Sequence, residues 1–267
     1  MEEKYLGTRN KIFYRKNKFS NRRKTLIFVH GVSGSSSAWI NFERKFGKNF
    51  NILTFDLRGH GKSFRPQKFS EYSLKDFSED LYRLIKHEKI SNPILIGHSF
   101  GNLVILNFLE KHLNLVKSII FVSAEYAPSK RWENKIVAAS FLLSPLAALL
   151  NNKKKWGHVD YSKYKNSGDW NPKRIYADTK NTGLKSFLYS LQHSYDSNSE
   201  SILPRIKIPI LIIHGDKDTI FDIAYAKEMA SKIKNSKIVI FHGANHIIPL
   251  NYSKKLSKEI ENFVKKN

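Results

Sequence analysis

Short apolar runs alternate along this chain with longer stretches of helical periodicity. The runs are Thr25–Val29 (TLIFV), Ile52–Phe55 (ILTF), Pro93–Ile96 (PILI), Ser118–Val122 (SIIFV), Ile210–Ile213 (ILII) and Ile238–Phe241 (IVIF). Their length and β-branched content predict strands, and their near-continuous apolar character predicts cover on both faces. Tyr5–Leu6 and Ile12–Tyr14 predict an initial antiparallel hairpin. Between the runs, Leu74, Phe77, Leu81, Leu84 and Ile85 recur at helical spacing, and Ser73 with Asp76 resembles a capping box at the start of that helix. Further helices are expected over Phe100–His112, Asp222–Lys234 and Ser253–Lys265. Strand and helix in alternation predict βα units and a mostly parallel sheet.

One segment breaks the alternation. Residues 124–204 hold no buried strand pattern; they carry helical periodicity, turns and many aromatics, among them Trp132, Phe141, Trp156, Trp170 and Phe187. This predicts a helical insertion at 124–204 in a core domain made of 1–123 and 205–267. Within it, Ile136–Leu150 is apolar nearly all round, and Pro145 divides it into two short helices. Such a face packs over the core and lines part of an acyl pocket. Arg131, Lys135 and Lys153–Lys155 flank it in the manner of an interfacial helix, which suggests weak peripheral contact with a membrane surface.

Composition narrows the class. Of 267 residues, 41% are hydrophobic, enough for a sizeable core and too many for a disordered chain. The absence of cysteine excludes disulfides, thiolate metal sites and a cysteine nucleophile. Lys+Arg is 46 and Asp+Glu is 23, a net charge of +23. The lysines are spread along the chain without a zinc-finger, basic-zipper or RNA-recognition signature, so a solvated basic surface is expected, not a specific nucleic-acid partner. No apolar stretch near the N-terminus has the form of a secretory signal, and no run reaches the roughly 18 residues of a membrane span, so a cytoplasmic location is expected.

Four loops carry candidate chemistry. Pro93–Gly101 reads PILIGHSFG, a G-x-S-x-G pattern directly after a strand and before a helix. A sharp turn there lifts the Ser99 hydroxyl out of the backbone, and the helix that follows turns free N–H groups toward it. An oxyanion forming beside Ser99 would meet the N–H of Phe100. The strand TLIFV ends in His30-Gly31-Val32-Ser33-Gly34-Ser35, a loop that exposes backbone and offers the N–H of Val32 as a second donor. It lacks the spacing and lysine of a phosphate-binding P-loop. Strand ILII runs into His214-Gly215-Asp216-Lys217-Asp218, where Asp218 is favoured to orient a base over Asp216. Strand IVIF ends in His242-Gly243-Ala244-Asn245-His246, where His246 is the favoured base and His242 its rival. His98 is expected to point away from the hydroxyl, with His30, His60 and His214 as structural residues. No paired-histidine helix or carboxylate cluster has metal spacing, so neither metal nor cofactor is expected.

These motifs together resemble the α/β-hydrolase family. HGVSGSSSAW follows one strand, DLRGHGKS (Asp56–Ser63) the next, then come GHSFG, HGDKD and GANH in that order. The resemblance implies a mostly parallel eight-stranded sheet flanked by helices, with residues 124–204 as a helical cap. It implies Ser99 as nucleophile, Asp218 as acid, His246 as base, and the N–H groups of Val32 and Phe100 as oxyanion hole. Asp56, Arg58 and Gly59 are then architecture near the site mouth. Serine at the elbow, where epoxide hydrolases and dehalogenases carry aspartate, implies acyl transfer: a serine hydrolase of apolar carboxylic esters, or an acyltransferase, thioesterase or carbon–carbon hydrolase on the same triad. Two positions depart from the pattern. Asn102 stands where relatives often carry a second glycine, and Ile247-Ile248-Pro249-Leu250 lacks the acidic residue often seen after the histidine.

Overall fold

The computed structural model describes residues 1–130, 145, 147–150 and 157–267. Its strands are β1 (Glu2–Leu6), β2 (Ile12–Lys16), β3 (Thr25–Val29), β4 (Asn51–Phe55), β5 (Ile94–His98), β6 (Ser118–Val122), β7 (Ile210–Gly215) and β8 (Ser236–Phe241). They form one sheet in the order β1-β2-β4-β3-β5-β6-β7-β8. From β4 to β8 every pairing is parallel; β1 and β2 add an antiparallel hairpin at one edge.

The helices are α1 (Ile40–Phe46), α2 (Leu74–His87), α3 (Phe100–His112), α4 (Pro172–Thr182), α5 (Leu184–Tyr195), α6 (Ile223–Lys232), α7 (Ile248–Asn251) and α8 (Ser253–Lys266). Alternate strand residues feed two cores. Ile27, Val29, Leu95, Ile119 and Phe121 join Leu81, Leu84, Leu103, Val104 and Met229 from α2, α3 and α6. Leu26, Phe28, Ile96, Ile120 and Val122 join Phe42, Leu256, Ile260 and Val264 from α1 and α8 on the opposite face. Both faces need apolar side chains, which is why these strands show no polar alternation. Strand β8 is the exception. It lies at the sheet edge, and of its six residues only Phe241 is buried. Ser73 caps α2: its hydroxyl accepts the Asp76 N–H at 3.2 Å and donates to the Asp76 carboxylate at 2.5 Å, which is one half of a capping box.

The strand order also locates the site. The chain leaves β3 for β4 on one side and leaves β5 for β6 on the other, so a crevice opens between the carboxyl ends of β3 and β5. Between residues 124 and 204 the described part holds α4, α5 and short 3₁₀ turns, with no strand. Most of the apolar Ile136–Leu150 pair and its flanking basic residues lie outside the described residues, apart from 145 and 147–150. No helix among the described residues is long and apolar enough to cross a membrane.

A buried ion pair ties the hairpin to the opposite layer. Arg15 Nη2 and Nε donate to Glu43 Oε1 at 2.7 and 3.0 Å, and the Thr54 hydroxyl donates to the same oxygen at 2.6 Å. The two charged side chains are 8% and 6% exposed. Glu43→Ala leaves the guanidinium buried without its counter-charge. The expected loss is about 3–5 kcal/mol of unfolding free energy, measured by urea denaturation.

Candidate active site

Ser99 sits where β5 turns into α3, with φ 52 and ψ −120. The geometry is costly for a residue with a side chain, and its neighbours hold it. The Ser99 N–H donates to Val122 O at 3.1 Å, and the Asn102 N–H donates to Ser99 O at 2.9 Å. Two glycines make room. A Cβ at Gly97 would lie 2.4 Å from Asn102 Oδ1, and one at Gly101 would lie 2.4 Å from Val29 O. Asn102, one of the two departures, is fully buried, and its Nδ2 donates to Val122 O at 2.9 Å. It therefore pulls on the carbonyl that already anchors Ser99, so the larger residue adds a bond to the turn.

Two of the three remaining loops bring side chains to this hydroxyl. His246 Nε2 lies 2.9 Å from Ser99 Oγ, and His246 Nδ1 lies 2.8 Å from Asp218 Oδ2. The other carboxylate oxygen, Asp218 Oδ1, accepts the N–H groups of Ile220 and Phe221 at 2.9 Å each. Burial alone would raise the Asp218 carboxyl, but the His246 imidazole, then His214 and the Phe221 N–H, outweigh it and hold the group below its ordinary value. A carboxylate only accepts, so Nδ1 carries the proton and Nε2 turns its lone pair to Ser99. Asp216 and His242 instead pair with each other at 2.9 Å on the surface, with His242 85% exposed, and neither lines the cavity over Ser99.

The third loop runs against the same serine. A Cβ on Gly31 would come within 3.3 Å of Ser99 Cβ. The N–H groups of Val32 and Phe100 have no protein acceptor among the described residues, and both residues line the cavity. Two histidines shape the loop from below, their rings tilted by 59° with centres 5.2 Å apart. His30 Nδ1 donates to Gly31 O at 2.8 Å while Nε2 accepts the Leu57 N–H at 3.0 Å. His60 Nδ1 donates to Arg58 O at 2.8 Å while Nε2 accepts the Ser33 N–H at 3.3 Å. Each ring thus serves as donor and acceptor, a role only the neutral form fills. Burial favours that form, lowering His30 and holding His60 at about 3.

The DLRGHGKS turn is architectural, as expected. Asp56 accepts the N–H groups of Ser36 and Lys62 at 2.8 Å each and pairs with His158 at 2.7 Å. Arg58 pairs with Asp80 at 2.7 Å. His98 turns away from the hydroxyl, and its Nε2 donates to His246 O at 2.9 Å. Burial, then the neighbouring His246, hold it at about 3. Ser123 donates to the same carbonyl at 2.9 Å. His214 Nε2 donates to Phe221 O at 3.0 Å beneath the acid loop.

A cavity of about 210 Å³ opens over Ser99. Its walls are chiefly apolar, with Ile175, Phe187, Leu191, Phe221 and Leu250 among them. Asp169, Arg174 and Asp178 also reach it. Asp169 lies in the loop before α4, whereas Arg174 and Asp178 are an i,i+4 pair on α4 at 2.8 Å; no local spacing in the chain marks Asp169. No group of three potential ligands that could hold a metal occurs among the described residues.

The model of the alpha/beta hydrolase fold family matches residues 24–251. A probable lysophospholipase, BODYGUARD 4 of Arabidopsis thaliana, is 37% identical over 109 residues, which are 40% of this chain and 26% of that protein. The pimeloyl-[acyl-carrier protein] methyl ester esterase of Wigglesworthia glossinidia brevipalpis is 26% identical over 250 residues, 90% of this chain and 93% of its own. A solved thermophilic esterase of Thermogutta terrifontis superposes with a TM-score of 0.76 at 17% identity, covering 100% of this chain and 99% of that one. At that identity the last likeness speaks for the fold alone.

The buried imidazoles make a pH prediction. His60 and His98 fall from an ordinary 6.5 to about 3 on folding, so the unfolded chain binds more protons below pH 6.5. Their contribution is complete above about 6.5 and is lost as pH falls toward about 3. The urea midpoint is expected to drop steadily from pH 7 to pH 4. In His60→Gln the drop is expected to be shallower.

Proposed function

The chain belongs to the α/β-hydrolase family, and from that premise we propose that it is a serine hydrolase that cleaves carboxylic esters. Ser99 is the nucleophile, His246 the general base and then the acid, and Asp218 the carboxylate that orients the imidazole. The observation that carries this reading is the unbroken contact from Asp218 through His246 to Ser99, at 2.8 and 2.9 Å. The names of two relatives, a lysophospholipase and a methyl ester esterase, support esters as the substrate class.

The steps follow from the geometry. The Ser99 oxygen attacks the ester carbonyl carbon as its proton passes to His246 Nε2. The imidazolium so formed stands against the Asp218 carboxylate, whose second oxygen is already held by two backbone N–H groups. The carbonyl oxygen, now negative, takes the N–H groups of Val32 and Phe100. Neither donor has a protein acceptor among the described residues, so neither gives up a bond when charge develops. The alcohol leaves with the proton from His246. Water then enters and its oxygen attacks the acyl carbon as its proton passes to the same nitrogen; the bond to Ser99 Oγ breaks, Oγ takes that proton back, and the acid is released.

Residues 124–204 act in this reading as the cap over the acyl pocket. The apolar walls suit a hydrocarbon acyl chain. A volume of about 210 Å³ falls below the roughly 300–1,000 Å³ of pockets for drug-sized ligands, which favours short chains.

A fluorophosphonate probe is expected to label a single residue, Ser99, mapped by peptide mass spectrometry. Ser99→Ala is expected to abolish labelling and to lower kcat on p-nitrophenyl acetate by about 10⁶-fold. Undiminished hydrolysis by that variant sinks the proposal. In an ester series, acetate and butyrate are expected to turn over faster than dodecanoate.

A further inference from the structure

The contacts around the triad include one buried carboxylate with no part in the steps above. Asp169 belongs to the insertion and is 6% exposed. Its Oδ1 accepts the backbone N–H of His246 at 2.8 Å, across 77 residues of chain. Its Oδ2 accepts both the backbone N–H and the hydroxyl of Thr219, at 3.0 and 2.8 Å. Thr219 directly follows Asp218. A single planar group therefore holds the backbone of the base and the residue beside the acid.

Those two loops need such a tie. They leave neighbouring strands, and the last ladder pair between β7 and β8 is Gly215 with Phe241. Beyond it the Lys217 N–H reaches Ala244 O at 2.9 Å, and Asp169 closes the gap nearer the hydroxyl. The peptide groups of His246 are then fixed on both sides: its N–H by Asp169, its carbonyl by His98 and Ser123. Asp169 is itself held. Arg174 Nη2 donates to its carbonyl at 2.5 Å, and Arg174 Nη1 donates to Asp178 at 2.8 Å, which also accepts the Tyr161 hydroxyl at 2.8 Å. The Ser167 carbonyl accepts the side-chain amides of Asn245 and Asn251 at 2.9 Å each, pinning the same segment to the base loop.

We propose that Asp169 is a positioning residue for ester cleavage: by bridging the Thr219 and His246 backbones it sets the spacing of acid and base, and so the aim of the imidazole at Ser99. This rests on the reading of Ser99, His246 and Asp218 as the reacting groups. Hydrogen bonds to an ionised acceptor are about twice as strong as neutral ones, so the bridge is stiff. An acceptor-only carboxylate is also required at both ends, since donors face each oxygen.

Asp169→Asn keeps the shape but puts an amide donor against one of those N–H groups. Small misalignments of reacting groups cost about 10²-fold, so kcat on p-nitrophenyl acetate is expected to fall about 10²-fold with KM within about twofold. Fluorophosphonate labelling of Ser99 is expected to slow in parallel. A lowered melting temperature with kcat within about twofold of the parent marks a merely structural carboxylate and overturns the proposal, as does a change confined to KM. If Asp169→Asn does not fold, Thr219→Val removes the hydroxyl arm, together with the bond that oxygen accepts from Trp170 Nε1 at 3.0 Å, with kcat expected to fall several-fold at unchanged KM; a parental kcat there overturns the proposal as well. Absence of Ser99 labelling in the parent protein is a separate result, which defeats the hydrolase reading itself and the positioning role with it.

Discussion

The site depends on one backbone reversal. At φ 52 and ψ −120 Ser99 occupies a conformation that costs of order 1–3 kcal/mol, and the fold must supply that energy elsewhere. It does so by crowding the turn with backbone partners. Val122 O anchors both the Ser99 N–H and the Asn102 side chain, and Gly101 lets α3 lie against the end of β3. The strain is useful because it is inseparable from the aim of the hydroxyl. A relaxed turn would carry Ser99 back toward the helix surface and away from His246.

Around that turn, burial sorts the titratable groups. His30, His60, His98 and His214 are all pushed down chiefly by desolvation, which favours neutral imidazoles; His30 and His60 use that form to donate on one side and accept on the other. Asp218 goes the other way only because its partners outweigh burial. A buried anion beside two imidazoles, His246 at 2.8 Å and His214 at 3.4 Å, is costly in stability, and its field is little screened there. The remaining histidines add no competing charge beside Ser99.

The insertion is wired to this centre rather than laid over it. His158 reaches the buried Asp56 beneath the oxyanion loop, Thr182 donates to Ser33 O at 2.8 Å, and Asp169 meets both the acid and the base loops. Each loop that brings a group to Ser99 therefore has a partner from residues 158–182. A shift of this segment therefore moves the cavity wall and the tethers to the loops around Ser99 together.

How much was legible in the chain follows from the range of the interactions involved. Apolar runs specify strands locally, because a strand buried on both faces has to be apolar whatever it pairs with, and the edge strands β1 and β8, largely unburied, fall outside the rule. Gly97, Ser99 and Gly101 are written in sequence because the turn that needs them spans five residues. Asp218 and His246 could be singled out because both follow strand ends that one sheet edge must bring together. Tertiary structure alone decided between Asp218 and Asp216 and between His246 and His242, since those choices depend on which way a loop folds back. It alone disclosed Asp169 and the alternate donor–acceptor roles of His30 and His60. A carboxylate 77 residues from its partner has no local periodicity to announce it, and a buried imidazole shows its proton only through the atoms that the fold sets against it.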